Sequence, residues 1–284
     1  MGRVHRRILA LAVLPALLAA CTAEPAPPSP APTSAAPVAA APARAFDVST
    51  RTLELRRGAD RPLTTTVWVP EGNGPFPLIL FSHGLGGNPS DYRELLIPWA
   101  RAGFVVAAPS YPGTSGTAKE VNVIDVLNQP ADASYVITET LAAVRSADPQ
   151  RIAAAGHSAG GVTTLGMFST ARDERLRAGL VLAGRQITRV PFTGAEAPLL
   201  FVHGRKDRTV TYAEGRAAYD NLTWPKAFVS VTDGGHVVSG RALRVVVATS
   251  TDFWRWSLYG DVTARERLKG DATSGSIATF DDDL

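Results

Sequence analysis

The pentapeptide Gly156-His157-Ser158-Ala159-Gly160 carries the residue types for nucleophilic chemistry in a confined space. A short apolar run at 151–155 precedes it, and a small-residue, helix-compatible run from Gly161 follows. The pattern reads as strand, sharp turn and helix, with Ser158 at the tip of the turn. A serine hydroxyl becomes a useful nucleophile only when a neighbouring base removes its proton, and that base is usually histidine. The chain has five histidines. His5 lies in an N-terminal leader. His157 precedes the serine and is expected to point away from it. His83 and His203 end apolar strands. His236 sits in Thr232-Asp233-Gly234-Gly235-His236, directly after the last expected strand, where two glycines let the loop bend back over the strand ends. His236 is therefore the expected general base.

An acid must fix the tautomer of that base and stabilise its imidazolium form. Asp207, in His203-Gly204-Arg205-Lys206-Asp207, lies just past the C-terminal end of a strand, where functional groups of open α/β sheets gather. Asp233 competes for the role from the histidine's own loop. The tetrahedral intermediate needs two backbone N–H donors. One is expected from Ala159, after the nucleophile, and the other from Leu85 in His83-Gly84-Leu85-Gly86-Gly87. His83 is expected to buttress that loop.

These residues need a scaffold, and the apolar patterning supplies one. Residues 52–56 and 63–69 read as a hairpin around Gly58-Ala59-Asp60. Further strands are expected at 78–81, 104–108, 151–155, 178–182, 199–202 and 227–231. Helices are expected at 90–102, 132–145, from the serine to about 169, at 212–221, and in a long final helix at 242–258. Strands that are apolar throughout and alternate with helices predict a parallel sheet covered on both faces. Between residues 182 and 199 there is room only for a loop, so no large lid is expected. Tyr111, in the longer 110–129 insertion, and Ile187, Val237 and Val238 are candidate substrate-binding residues. The acidic segment 271–284 reads as a solvated tail.

Composition narrows the function classes. Hydrophobic residues make up 45% and charged residues 19%, enough for a substantial core. The net charge is only +3, with no Lys/Arg stripe interleaved with aromatics, so nucleic acid is not an expected partner. The histidines show no metal-ligand spacing such as H-E-x-x-H, and no metal or organic cofactor is expected. The glycines at 156 and 160 do not form the G-x-G-x-x-G of a dinucleotide site. Arg3, Arg6 and Arg7 followed by an apolar run to Ala20 read as a signal peptide over residues 1–20. The sequence Leu18-Ala19-Ala20-Cys21 resembles the lipobox of bacterial lipoproteins, which implies a lipidated Cys21. An ordinary signal peptide with an incidental cysteine is the alternative. Cys21 is the chain's one cysteine, so neither an intramolecular disulfide nor a thiol nucleophile in the folded domain is available. Residues 21–45, rich in Ala, Pro, Ser and Thr, read as an extended tether. The catalytic domain is then 46–270.

Elbow, glycine-rich loop, acid and histidine together, in the order Ser158, Asp207, His236, resemble the α/β-hydrolase superfamily. The stretches 81–87 and 156–161 are similar to plasma-type platelet-activating-factor acetylhydrolases and dienelactone-hydrolase-like proteins. Gln129-Pro130-Ala131-Asp132 also resembles cutinase-like polyester hydrolases. The resemblance implies a mostly parallel sheet of about eight strands with helices on both faces. It also implies a serine carboxylesterase acting on small-molecule or lipid esters. True dienelactone hydrolases use a cysteine where this chain has Ser158. The polyester hydrolases carry an aromatic residue after the sixth strand, where this chain has Gly184-Arg185-Gln186-Ile187. Acyl transfer on the same three residues stays open, as does a non-enzymatic binding module. The leader implies an extracytoplasmic, membrane-tethered or secreted location.

Overall fold

Adjacent residues of a strand face opposite sides of its sheet, and in this chain both sides are apolar. Leu78 and Leu80 belong to one buried cluster and Ile79 and Phe81 to another. Ile152 and Ala154 are separated in the same way from Ala153 and Ala155. A sheet so patterned must be covered twice. The computed structural model, which describes residues 1–2 and 40–284, shows that it is. The leader, Cys21 and the tether up to residue 39 lie outside the described residues.

The described residues form nine strands: β1 (Val48–Arg57), β2 (Arg61–Pro70), β3 (Phe76–Ser82), β4 (Val105–Pro109), β5 (Ala147–His157), β6 (Leu176–Leu182), β7 (Leu199–Gly204), β8 (Lys226–Val231) and β9 (Ala278–Asp283). Their spatial order is β1-β2-β4-β3-β5-β6-β7-β8-β9. Strands β3 to β8 are mutually parallel. The β1–β2 hairpin and β9 pair antiparallel at the two edges.

Helices α1 (Arg93–Arg101), α5 (Gly240–Tyr259) and α6 (Val262–Ala272) cover one face with Trp99, Phe253, Trp254 and Leu268. Helices α2 (Gln129–Ala143), α3 (Ala159–Met167) and α4 (Tyr212–Asn221) cover the other with Ile137, Leu165 and Tyr219. The α4 boundary is written in the chain: Thr211 and Glu214 form a reciprocal capping box.

Two features differ from the sequence reading. Helix α5 is not the last helix, and the acidic segment is not a free tail. Residues 278–283 form β9 against β8. The aspartates cap a sheet edge with charge, which opposes further strand pairing. Asp282 pairs with Arg265 at 2.7 Å, and Asp283 accepts from the Tyr219 hydroxyl at 2.6 Å.

The 110–129 insertion is anchored rather than free. Arg61, on β2, holds Asp125 at 2.8 Å and the fully buried Asp132 of α2. Arg57 reaches Asp132 at 2.7 Å. Gln129 bonds Thr114 within the insertion and accepts from Thr163 on α3 at 2.5 Å. The Gln129–Asp132 stretch is therefore a clamp between the insertion and the helices.

Candidate active site

Strand β5 delivers Ser158 to the turn before α3. The serine backbone has φ 56° and ψ −117°, a strained conformation for a side-chain-bearing residue. Its N–H is held by the Leu182 carbonyl at 2.9 Å. A β-carbon at Gly156 would meet the Gly160 carbonyl oxygen at 2.1 Å, so only glycine allows the turn to fold so tightly.

His236 and Asp207, the expected base and acid, arrive on the two loops after β8 and β7. Backbone bonds from Arg205 N–H to the Val231 carbonyl and from Lys206 N–H to the Gly234 carbonyl, each 2.9 Å, tie those loops together. His236 Nε2 lies 2.8 Å from Ser158 Oγ, and His236 Nδ1 lies 2.8 Å from Asp207 Oδ2. A carboxylate can only accept, so the proton on His236 sits on Nδ1 and Nε2 is free to accept from the serine. Asp207 Oδ1 is held by the N–H groups of Thr209 and Val210. Asp233 stands apart: it is exposed and paired with Lys206 at 2.7 Å.

The glycine-rich loop after β3 is tied down donor by donor. The Gly84 N–H goes to the Tyr92 hydroxyl, the Gly86 N–H to the Thr114 carbonyl and the Gly87 N–H to the Gly84 carbonyl. Among the described residues, the N–H groups of Leu85 and Ala159 donate to nothing. Both residues flank Ser158: Leu85 lines the same cleft, and Ala159 follows the serine in the chain. His83 braces the loop from beneath. Its Nε2 accepts from the Tyr111 N–H at 3.1 Å, so its Nδ1–H donates to the Gly84 carbonyl at 2.8 Å. Burial holds the His83 ring below the ordinary histidine range, in the neutral form this arrangement needs.

Ser158 and His236 open onto a cleft of about 560 Å³. Leu85, Leu95, Leu182, Val237, Val238 and Leu243 make its apolar wall. Val237 and Val238 are thus placed at the cleft, while two other expected residues are not. Tyr111 is fully buried, with its hydroxyl 2.8 Å from Ser82 Oγ, because it plugs the core below the glycine-rich loop. Ile187 is exposed on a separate depression beside Leu127 and Pro130. The ring of His157, expected to point away from Ser158, hydrogen-bonds Tyr92 and the His236 carbonyl and is buried beside His236, with ring centroids 4.9 Å apart. The sequence reading missed Tyr92 and Leu243. The Tyr92 signal was its position ten residues past the β3 end, before the first helix, where a side chain can fold back under the loop.

Strand order, parallel crossovers and the strained serine between β5 and α3 define an α/β-hydrolase fold. Comparison with known proteins agrees. The family model for chlorophyllase matches residues 43–181, just under half of the chain. That stretch includes the glycine-rich loop and Ser158 but ends before Asp207 and His236. A 76-residue stretch is 37% identical to a mouse peroxisomal succinyl-coenzyme A thioesterase, covering 27% of this chain and only 17% of the thioesterase. Uncharacterized protein YfhR of Escherichia coli K12 is 23% identical over 199 residues, 60% of this chain and 68% of its own. The O157:H7 form of that protein matches to the same extent.

Proposed function

We propose that this protein is a serine-dependent carboxylic ester hydrolase working through an acyl-enzyme. The observation that carries the reading is the pair of 2.8 Å hydrogen bonds from Ser158 through His236 to Asp207, opening on an apolar cleft. Ser158 Oγ attacks the ester carbonyl carbon as its proton passes to His236 Nε2. Negative charge gathers on the former carbonyl oxygen, where the Leu85 and Ala159 N–H groups receive it. The imidazolium then gives its proton to the leaving alcohol, and the acyl group stays on Ser158. Water, deprotonated by His236, attacks the acyl-enzyme and releases the acid. An alcohol in place of that water would make the same site an acyltransferase.

An apolar ester is the substrate class that the surroundings favour. Seven exposed large apolar residues (Leu85, Val121, Val123, Ile124, Leu127, Ile187 and Val237) lie on loops leaving the C-terminal ends of β3, β4, β6 and β8. Ser158 leaves the C-terminal end of β5, at the same edge of the parallel sheet. The names of the matched family and of the mouse thioesterase are in keeping with ester chemistry. The leader and Cys21 extend the reading to an extracytoplasmic enzyme anchored through lipid. Release of the Cys21→Ser protein from membranes is expected, and unchanged membrane association would reject the anchor.

The test of the reaction is turnover of p-nitrophenyl butyrate with a fluorophosphonate probe alongside. Hydrolysis and a phosphonyl adduct on Ser158 are expected. An adduct-free serine in an enzyme that still hydrolyses the ester would remove Ser158 from the mechanism.

A further inference from the structure

His157 and Tyr92 occupy a position that the proton-transfer chain does not account for. The Gly84 N–H donates to the Tyr92 hydroxyl at 2.9 Å. That hydroxyl is 2.9 Å from His157 Nδ1. His157 Nε2 is 2.8 Å from the backbone carbonyl of His236. The protons in this series can be assigned. A carbonyl only accepts, so Nε2 of His157 carries the hydrogen. Burial, above all, pushes the ring down to about 4, so at neutral pH Nδ1 is bare and accepts. The Tyr92 phenol, whose ionisation burial raises, stays protonated and donates to it. Every donor in the series then meets one acceptor: Gly84 N–H to Tyr92 O, Tyr92 O–H to His157 Nδ1, and His157 Nε2–H to His236 O.

We infer that Tyr92 and His157 are positioning residues that set the distance between the loop carrying Leu85 and the loop carrying His236. The inference rests on the serine-hydrolase reading and adds to it two cleft-lining residues that stand outside the Ser158–His236–Asp207 hydrogen-bond series. Both ends of the series are backbone groups of the two loops that meet at Ser158, and the series is a direct link between them. The His236 loop contains Gly234 and Gly235 and the outward-facing Asp233. The His157 ring, fixed at the end of β5, is a rigid post for it. On the other side, Tyr92 fixes Gly84 N–H next to Leu85. A β-carbon on Gly84 would stand 3.3 Å from Ser158 Cβ, so small shifts of this loop change what faces the nucleophile. Oxyanion donors and general base act on the same reacting carbon, and misplacement of either by a fraction of an ångström lowers the rate more than the binding.

The experiment compares wild type with Tyr92→Phe, His157→Leu and the double variant, using p-nitrophenyl butyrate and the rate of Ser158 phosphonylation. Tyr92→Phe keeps the ring that packs on Phe81 at 4.7 Å, so its fold is expected to hold, and melting temperatures check this. Each single variant is expected to lose on the order of tenfold in kcat, with KM within about twofold. Because both cut one series, the double variant should be no slower than the slower single. His157→Gln, whose amide can reach the His236 carbonyl, should recover part of the His157→Leu loss. Wild-type kcat in a folded Tyr92→Phe overturns the inference, as does a double-variant loss equal to the product of the single losses. If the wild-type protein neither hydrolyses the ester nor labels at Ser158, the hydrolase reading fails and this inference with it. If wild type does both and Tyr92→Phe equals it, the inference fails alone.

Discussion

Gly160 is seated against the carbonyl of Ser82 so closely that a β-carbon on it would stand 1.9 Å from that oxygen. The contact joins the start of α3 to the end of β3, and so brings the serine turn to the glycine-rich loop. Neither partner is a side-chain tip that could swing aside. Gly160→Ala is therefore expected to cost about 3 kcal/mol or more in stability, at the upper end of overpacking effects. The loss should appear as a large fall in melting temperature. An unchanged melting temperature would mean that α3 and β3 can separate without penalty.

Ser158→Ala removes the proposed nucleophile and one hydrogen bond, that to His236. Turnover of p-nitrophenyl butyrate should fall on the order of a million-fold, as for other serine triads. The melting temperature should stay within a few degrees of wild type, because a single part-exposed hydrogen bond is worth about 1 kcal/mol.

The two candidate acids separate cleanly in space, and their variants should separate in rate. Asp207→Asn replaces the acceptor for His236 Nδ1–H and favours the wrong tautomer; the expected loss in kcat is on the order of 10⁴-fold. Asp233→Asn breaks only an exposed contact with Lys206 and should leave kcat within about twofold. A reversed outcome would move the acid to the base's own loop.

Buried neutral histidines set the acid side of the stability profile. The His157 ring titrates near 4 in the folded protein against 6.5 in an unfolded chain. Below 6.5 the unfolded chain binds a proton that the folded protein refuses. The associated stability is thus complete above pH 6.5 and is lost as pH falls toward 4. Between pH 7.5 and pH 5 the loss from this one group is about 2 kcal/mol. His83 and His203, both also lowered by burial, act in the same direction. Denaturant titrations should show this slope, and His157→Gln should flatten it without abolishing it. A His157→Gln profile parallel to wild type would mean that the folded protein takes up the proton on this ring as readily as the unfolded chain does.

Asp271 works with the opposite sign. Burial and the neighbouring Asp252 carboxylate raise it to about 6. The folded protein therefore holds this proton longer than the unfolded chain, and stability falls as pH rises from about 4 to 6. Asp271→Asn should raise the melting temperature at pH 7.5 by roughly a degree or two and have no such effect at pH 4. A lower melting temperature at both pH values would show that the carboxylate is favourable where it sits.

Much of this was legible in the chain itself. Short runs such as Leu78–Phe81, alternating with helical segments, read as doubly buried strands, and the Thr211/Glu214 capping box starts α4 where it is found. Elimination among five histidines pointed to His236, and strand-end position favoured Asp207 over Asp233. Those are local or one-dimensional properties, set by which residue types stand at which spacing. The acidic β9 was hidden because its alternation is weak and its aspartates resemble a solvated end. Its pairing depends on β8, Arg265 and Tyr219, which are distant in sequence. Tyr111 read as a cleft wall because an aromatic beside a glycine-rich stretch looks the same whether it faces solvent or core. The side of the turn on which His157 falls depends on the strained φ of Ser158 and on where the loop after β8 closes. The residue types and their order thus came from the sequence. Which of them face one another was decided by the packing of β3, β5, β6, β7 and β8 side by side, since hydrogen bonds of 2.8 Å between groups some 80 positions apart exist only once the sheet has formed.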